Sequence, residues 1–321
     1  MTRYDRQMIL PEVGRDGQDR LRNAHVLVVG AGGLGCPVLQ YLAGAGLGTL
    51  TVVDPDVVEE SNLHRQPLYS LTDIGKSKAS ASAARLRDYN PEVDLRALGV
   101  ALTPANAVEL VGQADIIVDA ADTFAASYTL SDECFSQGKP LISASVLGTS
   151  GYLGGFCAGA PSLRAVFPAP PSNGATCSSA GVLGPAVGSI GAMQAQMVLG
   201  VLLGFSPSPL GRLVTLDLKS FAFGGFSFLN AKEPKWHAPF ISVQDLMPTD
   251  LVVELRDITE APAPVCADAV RVLPDALGTH DFSDTGRVVL CCKTGLRAWR
   301  GAQVLSERGY KSVALIADMA R

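Results

Sequence analysis

Arg6, Arg65 and Lys78, together with the carboxylate of Asp122, are residues whose types suit polyphosphate chemistry. Guanidinium and ammonium groups neutralise phosphate oxygens and a departing pyrophosphate, and a single carboxylate can hold Mg²⁺ against them. A hydride-transfer site has no use for so many cations beside its phosphates. Each residue stands in a short polar motif: Arg3-Tyr4-Asp5-Arg6-Gln7, Ser61-Asn62-Leu63-His64-Arg65-Gln66, Gly75-Lys76-Ser77-Lys78 and Val118-Asp119-Ala120-Ala121-Asp122. Taken singly these are ordinary. A loop arginine is usually solvated, a helix lysine usually faces water, and Asp122 can cap the helix that follows it. Their joint occurrence, in this order, carries the signal.

The elements that must position them are legible nearby. The apolar run His25–Val29 leads into Gly30-Ala31-Gly32-Gly33-Leu34-Gly35, and Asp54 closes the next apolar run, Thr51-Val52-Val53. Strand, glycine turn, helix, and second strand ending in an acid make a nucleotide-binding βαβ unit. Its glycines admit phosphate oxygens to backbone N–H groups, and Asp54 is placed to accept hydrogen bonds from a ribose. These residues alone leave the nucleotide open and favour NAD. Further along, a helix over residues 75–89 stops at Asn90-Pro91, and strands over 93–100, 114–119 and 139–146 alternate with a helix over 124–137. This alternation predicts an α/β fold, a Rossmann-like, doubly wound, mainly parallel sheet. From Gly148 the texture changes, and residues 151–157 and 213–228 read as an antiparallel extension.

The combined motifs resemble those of the ubiquitin-activating-like adenylyltransferases of the MoeB/ThiF/HesA family, which serve molybdopterin-synthase and thiamine sulfur carriers. The resemblance covers roughly residues 1–230. It implies an enzyme that binds ATP and Mg²⁺ and a small ubiquitin-like carrier protein ending in Gly-Gly. The carrier's terminal carboxylate attacks the α-phosphate, giving an acyl-adenylate and pyrophosphate. Carried over residue by residue, the nucleotide site comprises Gly30, Gly32, Gly33, Gly35, Asp54, Ser61, Asn62, Leu63, His64, Arg65, Lys78, Asp122 and Thr123. Gly33 would contact phosphate, Asn62 and Arg65 line the triphosphate, Lys78 stabilise the transition state and Asp122 bind Mg²⁺. Arg6 resembles an arginine that family members insert into the partner subunit's site, which implies a homodimer with composite sites.

Three departures stand out. Many relatives carry two Cys-x-x-Cys pairs around a structural zinc. Here Ser162 and Ala165 occupy the first pair's positions and no cysteine lies between Asn230 and His237, so no zinc site is expected. Loss of that clip predicts a more mobile loop around residue 160. Thr123 replaces an asparagine common after the metal-binding aspartate. Cys177 matches a family cysteine in the loop crossing over the carrier's tail. It reads equally as a nucleophile toward the acyl-adenylate and as a small packing residue. Cys36, beside the glycine turn, reads as helix packing.

Lys232-Glu233-Pro234-Lys235 is the best linker candidate, giving an ATP-binding domain over 1–231, a linker over 232–240 and a small α/β unit over 241–321. In that unit Cys291-Cys292-Lys293-Thr294-Gly295-Leu296-Arg297 resembles the rhodanese active loop, Cys-x-x-Gly-x-Arg. Such a loop aims backbone N–H groups at the sulfur, which makes Cys292 a candidate persulfide carrier and Cys291 a core residue. The sulfur donor would be thiosulfate or a cysteine desulfurase persulfide. The unit is short for a rhodanese, so a degenerate docking domain is the alternative.

Composition narrows the classes. The 321 residues are 47% hydrophobic, with a net charge of -5, a poor basis for non-specific nucleic-acid binding. Seven cysteines without a regular framework, and a polar start at Met1-Thr2-Arg3, read as a cytoplasmic chain without a secretory leader. No charge occurs between Arg164 and Arg212, and residues 186–205 are long and apolar enough to span a bilayer. Gln194, Gln196 and several glycines within the stretch favour a buried helix, in the core or at a subunit interface, over membrane insertion.

Overall fold

The structure, a computed structural model, describes residues 3–169, 181–282 and 286–318. Helices α1 (Asp5–Met8) and α2 (Gly14–Asn23) lead into β1 (His25–Val29). Then follow α3 (Gly35–Gly44), β2 (Thr49–Val53), α4 (Lys78–Tyr89), β3 (Asp94–Leu98), α5 (Pro104–Gln113), β4 (Ile116–Asp119), α6 (Phe124–Gln137) and β5 (Leu141–Leu147). The chain continues through β6 (Ser150–Phe156), α7 (Leu163–Val166), α8 (Gly184–Leu203), β7 (Arg212–Asp217) and β8 (Ala222–Ser227). The strands form one sheet in the order β3-β2-β1-β4-β5-β6-β7-β8. Pairing is parallel from β3 to β5 and antiparallel from β5 to β8.

Alternation along β1 explains the layers. Leu27 and Val29 enter one core with residues of α5 and α6, whereas Val26 and Val28 enter the other with α3, α4 and α8. A strand buried on both faces belongs in the middle of a helix-covered parallel sheet. The chain order reverses between β1 and β4, and ligands of such sheets sit at the strands' carboxyl ends beside that switch. Register brings the ends together there: Val29 lies level with both Val53 and Asp119. Gly30, Asp54 and Ala120 therefore leave the sheet side by side.

The charge-free stretch forms α8, which packs on α3, β5 and β6. Half of its most apolar stretch is buried. Helix α4 begins at Lys78, three residues later than its sequence suggests. Gly75 has φ +84°, Val57 and Ser77 form an isolated β-bridge, and the Ser77 hydroxyl accepts the Ser80 N–H, so the helix starts only after that bridge.

A second sheet follows, built of β9 (Leu251–Glu254), β10 (Val270–Arg271), β11 (Val288–Cys292) and β12 (Val313–Ala317), with α9 (Leu296–Glu307) between the last two. Its order is β10-β9-β11-β12, all parallel. Inside it the buried Arg256 guanidinium donates to both Glu254 oxygens, at 2.8 and 2.7 Å, and to Asp318 at 2.9 Å. Burial alone would push the Glu254 carboxyl up, but these bonds hold it below the usual range. The two sheets share one hydrophobic core, in which Trp299 of α9 meets Tyr128 of α6.

Candidate active site

The glycine turn is shaped by close approach. Gly30 has φ +98°, and a Cβ there would lie 2.4 Å from the Ala120 carbonyl oxygen. A Cβ on Gly35 would lie 2.0 Å from the Gly30 oxygen. A Cβ on Gly33 would meet Val187 of α8 at 2.6 Å, so α8 backs the turn. Gly32 alone faces space, its nearest neighbour being Gln66 Nε2 at 3.6 Å. Helix α3 starts beside it with Leu34 at the N-cap and no side-chain cap. Its Cys36 N–H donates to the Gly32 carbonyl at 2.9 Å and Pro37 has no N–H, so the Gly35 N–H is the first-turn donor left toward an anion among the described residues.

Asp54 locks this turn to β2. It is buried, one oxygen accepting the Ala31 N–H at 2.7 Å and the other the Asp56 N–H at 2.9 Å. Burial pushes its carboxyl up, and the two N–H groups oppose this. Each oxygen keeps a lone pair for a ligand hydroxyl. Tyr69 donates its hydroxyl to the Ala31 carbonyl at 2.7 Å and closes the turn from the other side.

The cations sit around the opening. Lys78, the first residue of α4, is buried along its stem, and its Nζ donates to Asp56 Oδ2 at 2.9 Å. The motif after β2 folds into a 3-10 turn, Glu60–Asn62, whose N-cap is Glu59. Asn62 is buried, with Oδ1 accepting the Glu59 N–H and Nδ2 donating to the Ser61 hydroxyl. Arg65 and His64 both bond the Ser61 carbonyl, at 3.0 Å each, and Leu63 packs on the core beneath. Ser61 itself donates to Glu59.

Asp122 is exposed and makes no hydrogen bond or ion pair among the described residues. The N-cap of α6 is Thr123, not Asp122, and its side chain makes no capping bond. Arg6 lies exposed on α1 without a polar partner among the described residues. Cys177 lies outside the described residues. Cys36 is buried, donates to the Ala31 carbonyl and is pushed up to about 12 by burial, as suits packing.

The residues fit a nucleotide triphosphate. The open face at Gly32 and the exposed Asp122 follow the neighbouring strands β1 and β4, and the cations Arg65 and Lys78 stand on the segment after β2. Gln66 adds an observation: it is buried, and its Oε1 has no hydrogen-bond partner among the described residues. A buried amide oxygen left unpaired costs about 1–3 kcal/mol, a penalty a bound ligand or water can relieve. Sequence reading placed Gln66 in a motif without giving it a role. It also missed Asp56, the partner of Lys78, although the spacing Asp54-Pro55-Asp56 was visible.

A structural zinc does not fit. The Ser162 backbone N–H and hydroxyl donate to Glu233 at 2.7 and 2.6 Å, joining the two stretches where the cysteine pairs would stand. The loop around residue 160 is thus held by hydrogen bonds rather than left loose. Next to it Arg164, itself buried, grips Asp132 with two bonds at 2.5 and 2.8 Å.

In the second sheet Cys292 is fully buried, and its Sγ accepts the Ala298 N–H from the first turn of α9 at 3.4 Å. Arg297 is paired with both oxygens of Glu260. Cys291 is buried, as its register suggests, and burial raises its thiol far above the usual range.

A family model described as the ThiF family matches residues 4–238. The sulfur carrier protein adenylyltransferase of Thermus thermophilus is 43% identical over 231 residues, covering 70% of this chain and 85% of its own length. The adenylyltransferase and sulfurtransferase MOCS3 of Bos taurus is 47% identical over 220 residues, 68% of this chain and 48% of its own. The chain spans about half the length of the MOCS3 relatives it matches. Among solved structures, E. coli MccB with ATP superposes with a TM-score of 0.60 at 22% identity, covering 73% of each chain, a likeness of fold.

Proposed function

The chain belongs to the ThiF family, and from that premise we propose that it adenylylates the C-terminal Gly-Gly carboxylate of a ubiquitin-like sulfur carrier. What supports this reading is that the Gly32 turn, Asp54 and Asp122 follow the neighbouring strands β1, β2 and β4 beside the switch, with Arg65 and Lys78 on the segment after β2. ATP phosphates would lie over Gly32 and the start of α3, with the ribose against Asp54. Lys78 would exchange Asp56 for an α-phosphate oxygen. Arg65 would neutralise the departing pyrophosphate, and Mg²⁺, held by Asp122, would supply charge compensation between the phosphates. A carrier carboxylate oxygen attacks the α-phosphorus as the bond to pyrophosphate breaks. Charge on the phosphorus oxygens is then met by groups already in place, commonly the largest contribution to catalysis. Arg6, exposed and unpaired, would complete the site of a second copy in a homodimer. Phe221 and Phe223, exposed at the edge strand β8, offer the carrier apolar surface. The setting is cytoplasmic and reducing, in keeping with six free thiols among the described residues.

A persulfide, supplied by a desulfurase or formed from thiosulfate with loss of sulfite, would then attack the acyl-adenylate carbonyl and expel AMP. Cys177, as a relay thiol, would take the donor's own sulfur into a disulfide and release the thiocarboxylate. For the second unit, the full burial of Cys292 and the Glu260 hold on Arg297 favour a docking role over persulfide transfer. If Cys292→Ala leaves thiosulfate-dependent transfer unchanged, docking stands; loss of transfer restores Cys292 as the donor.

The decisive experiment is carrier-dependent ATP–pyrophosphate exchange, using candidate carriers with and without their terminal Gly-Gly. Exchange that needs ATP, Mg²⁺ and the intact tail is the expected result. ATP binding without exchange for any carrier would leave a carrier-binding scaffold.

A further inference from the structure

We propose that Trp299, from the second sheet's helix α9, is a positioning residue for the metal-binding end of the nucleotide site. The inference rests on the adenylylation reading and on the placing of Mg²⁺ at Asp122. Helix α6 begins at Phe124, immediately after Asp122 and Thr123. Its first turn lacks a side-chain cap, because Thr123 makes none and Asp122 bonds to nothing among the described residues, although the Ser127 hydroxyl bonds the Thr123 carbonyl and Asp119. Packing takes the place of the missing cap: the Trp299 and Phe124 ring centroids lie 4.4 Å apart at an interplanar angle of 43°.

One turn along, the Tyr128 ring meets Trp299 edge-on at 4.4 Å and Phe124 at 4.5 Å, so the three rings brace one another. The Arg164 guanidinium lies 5.0 Å from the Tyr128 ring centre and 5.3 Å from that of Trp299, while Asp132 of α6 holds it in place. Buried aromatic and cation–π contacts of this kind stabilise beyond their area burial. A cap bond at the same helix end would contribute a comparable amount. Trp299 therefore does by packing what a cap would do by hydrogen bonding. The position of the Asp122 carboxylate depends on a side chain far along the chain.

The sequence supplies a reporter, because Trp236 is the one other tryptophan. In the full chain carrying Trp236→Phe, Trp299 emission is titrated with ATP alone and with ATP plus Mg²⁺, and bound ATP is measured in parallel by equilibrium dialysis. The expected result is a change in emission that requires Mg²⁺ and follows its saturation. In dialysis, Trp299→Ala raises the Mg²⁺ concentration for half-maximal ATP retention several-fold, and Trp299→Phe restores the wild-type value. A silent Trp299 in a chain that retains Mg²⁺ and ATP overturns the proposal while adenylylation stands. So does an unaltered Mg²⁺ dependence in a folded Trp299→Ala chain. A wild-type chain that retains no ATP overturns both readings. The emission titration needs no change at residue 299, so it decides the matter even if Trp299→Ala fails to fold.

Discussion

Two buried carboxylates at neighbouring strand ends show how single residues reconcile burial with charge. Asp54 is held by two backbone N–H groups, whereas Asp119, fully enclosed at the end of β4, is pushed up to about 6 by burial despite bonds from the Ser143 hydroxyl and the Ala121 N–H. Its folded value lies above the ordinary aspartate value of 3.8. The native state therefore binds the extra proton between those values, and Asp119 makes stability fall as pH rises through that window, by about 3 kcal/mol at most. Asp119→Asn should flatten this part of the curve in urea titrations relative to wild type; an unchanged slope would show that Asp119 ionises without cost. At the opening, Lys78→Ala should cut carrier-dependent exchange by about 10²–10³-fold, the usual cost of losing one preorganised charge-stabilising donor. A loss under tenfold would assign Lys78 to its bond with Asp56 instead. The candidate residues were legible because each family motif is local. The Lys78–Asp56 pair and the unpaired Gln66 oxygen were not, since both depend on how separate loops meet.

At the scale of elements, the stretch 232–235 carries a contact that composition does not announce. Its lysines and proline look like a spacer, yet Glu233 accepts two hydrogen bonds from Ser162, a partner 71 residues away. No local pattern signals a partner at that distance. Two bonds to a charged acceptor are each worth about 1.5–3 kcal/mol, so Glu233→Ala should lower the thermal midpoint measurably. A chelator should leave the wild-type midpoint unchanged; a drop on chelation would point to a metal in the wild-type protein. The strands and helices of the first half were legible from periodicity. The late start of α4 was not, because a β-bridge from another segment sets it. In the second sheet, Glu254→Ala strands the buried Arg256 with Asp318 alone. The loss should approach the roughly 3–5 kcal/mol typical of a broken buried pair. Since the folded Glu254 carboxyl is held low, its stabilisation is present above the ordinary glutamate range and disappears as pH falls through the folded value.

At the scale of the molecule, the proposed homodimer with composite sites predicts complementation. Arg6→Ala and Lys78→Ala chains, each inactive alone, should recover exchange when mixed and allowed to swap subunits, because one site of each mixed dimer then receives no lesion. No recovery would place Arg6 in its own chain's site or outside catalysis. The alternation of strands and helices announced the large sheet. The shared core between the two sheets left no trace in the sequence, because Trp299 and Phe124 belong to patterns that are each complete without the other. The glycine turn has a further consequence, for the order of assembly. Its wall is the Ala120 carbonyl, and residue 30 leaves the ribosome well before residue 120. At about 5–20 residues per second, roughly 5–20 s of synthesis separate the two. During that interval β1 and β2 can pair, yet the phosphate cradle has only one side. A nascent chain gains its nucleotide only once β4 has docked, so ATP can stabilise the finished sheet but cannot template its beginning.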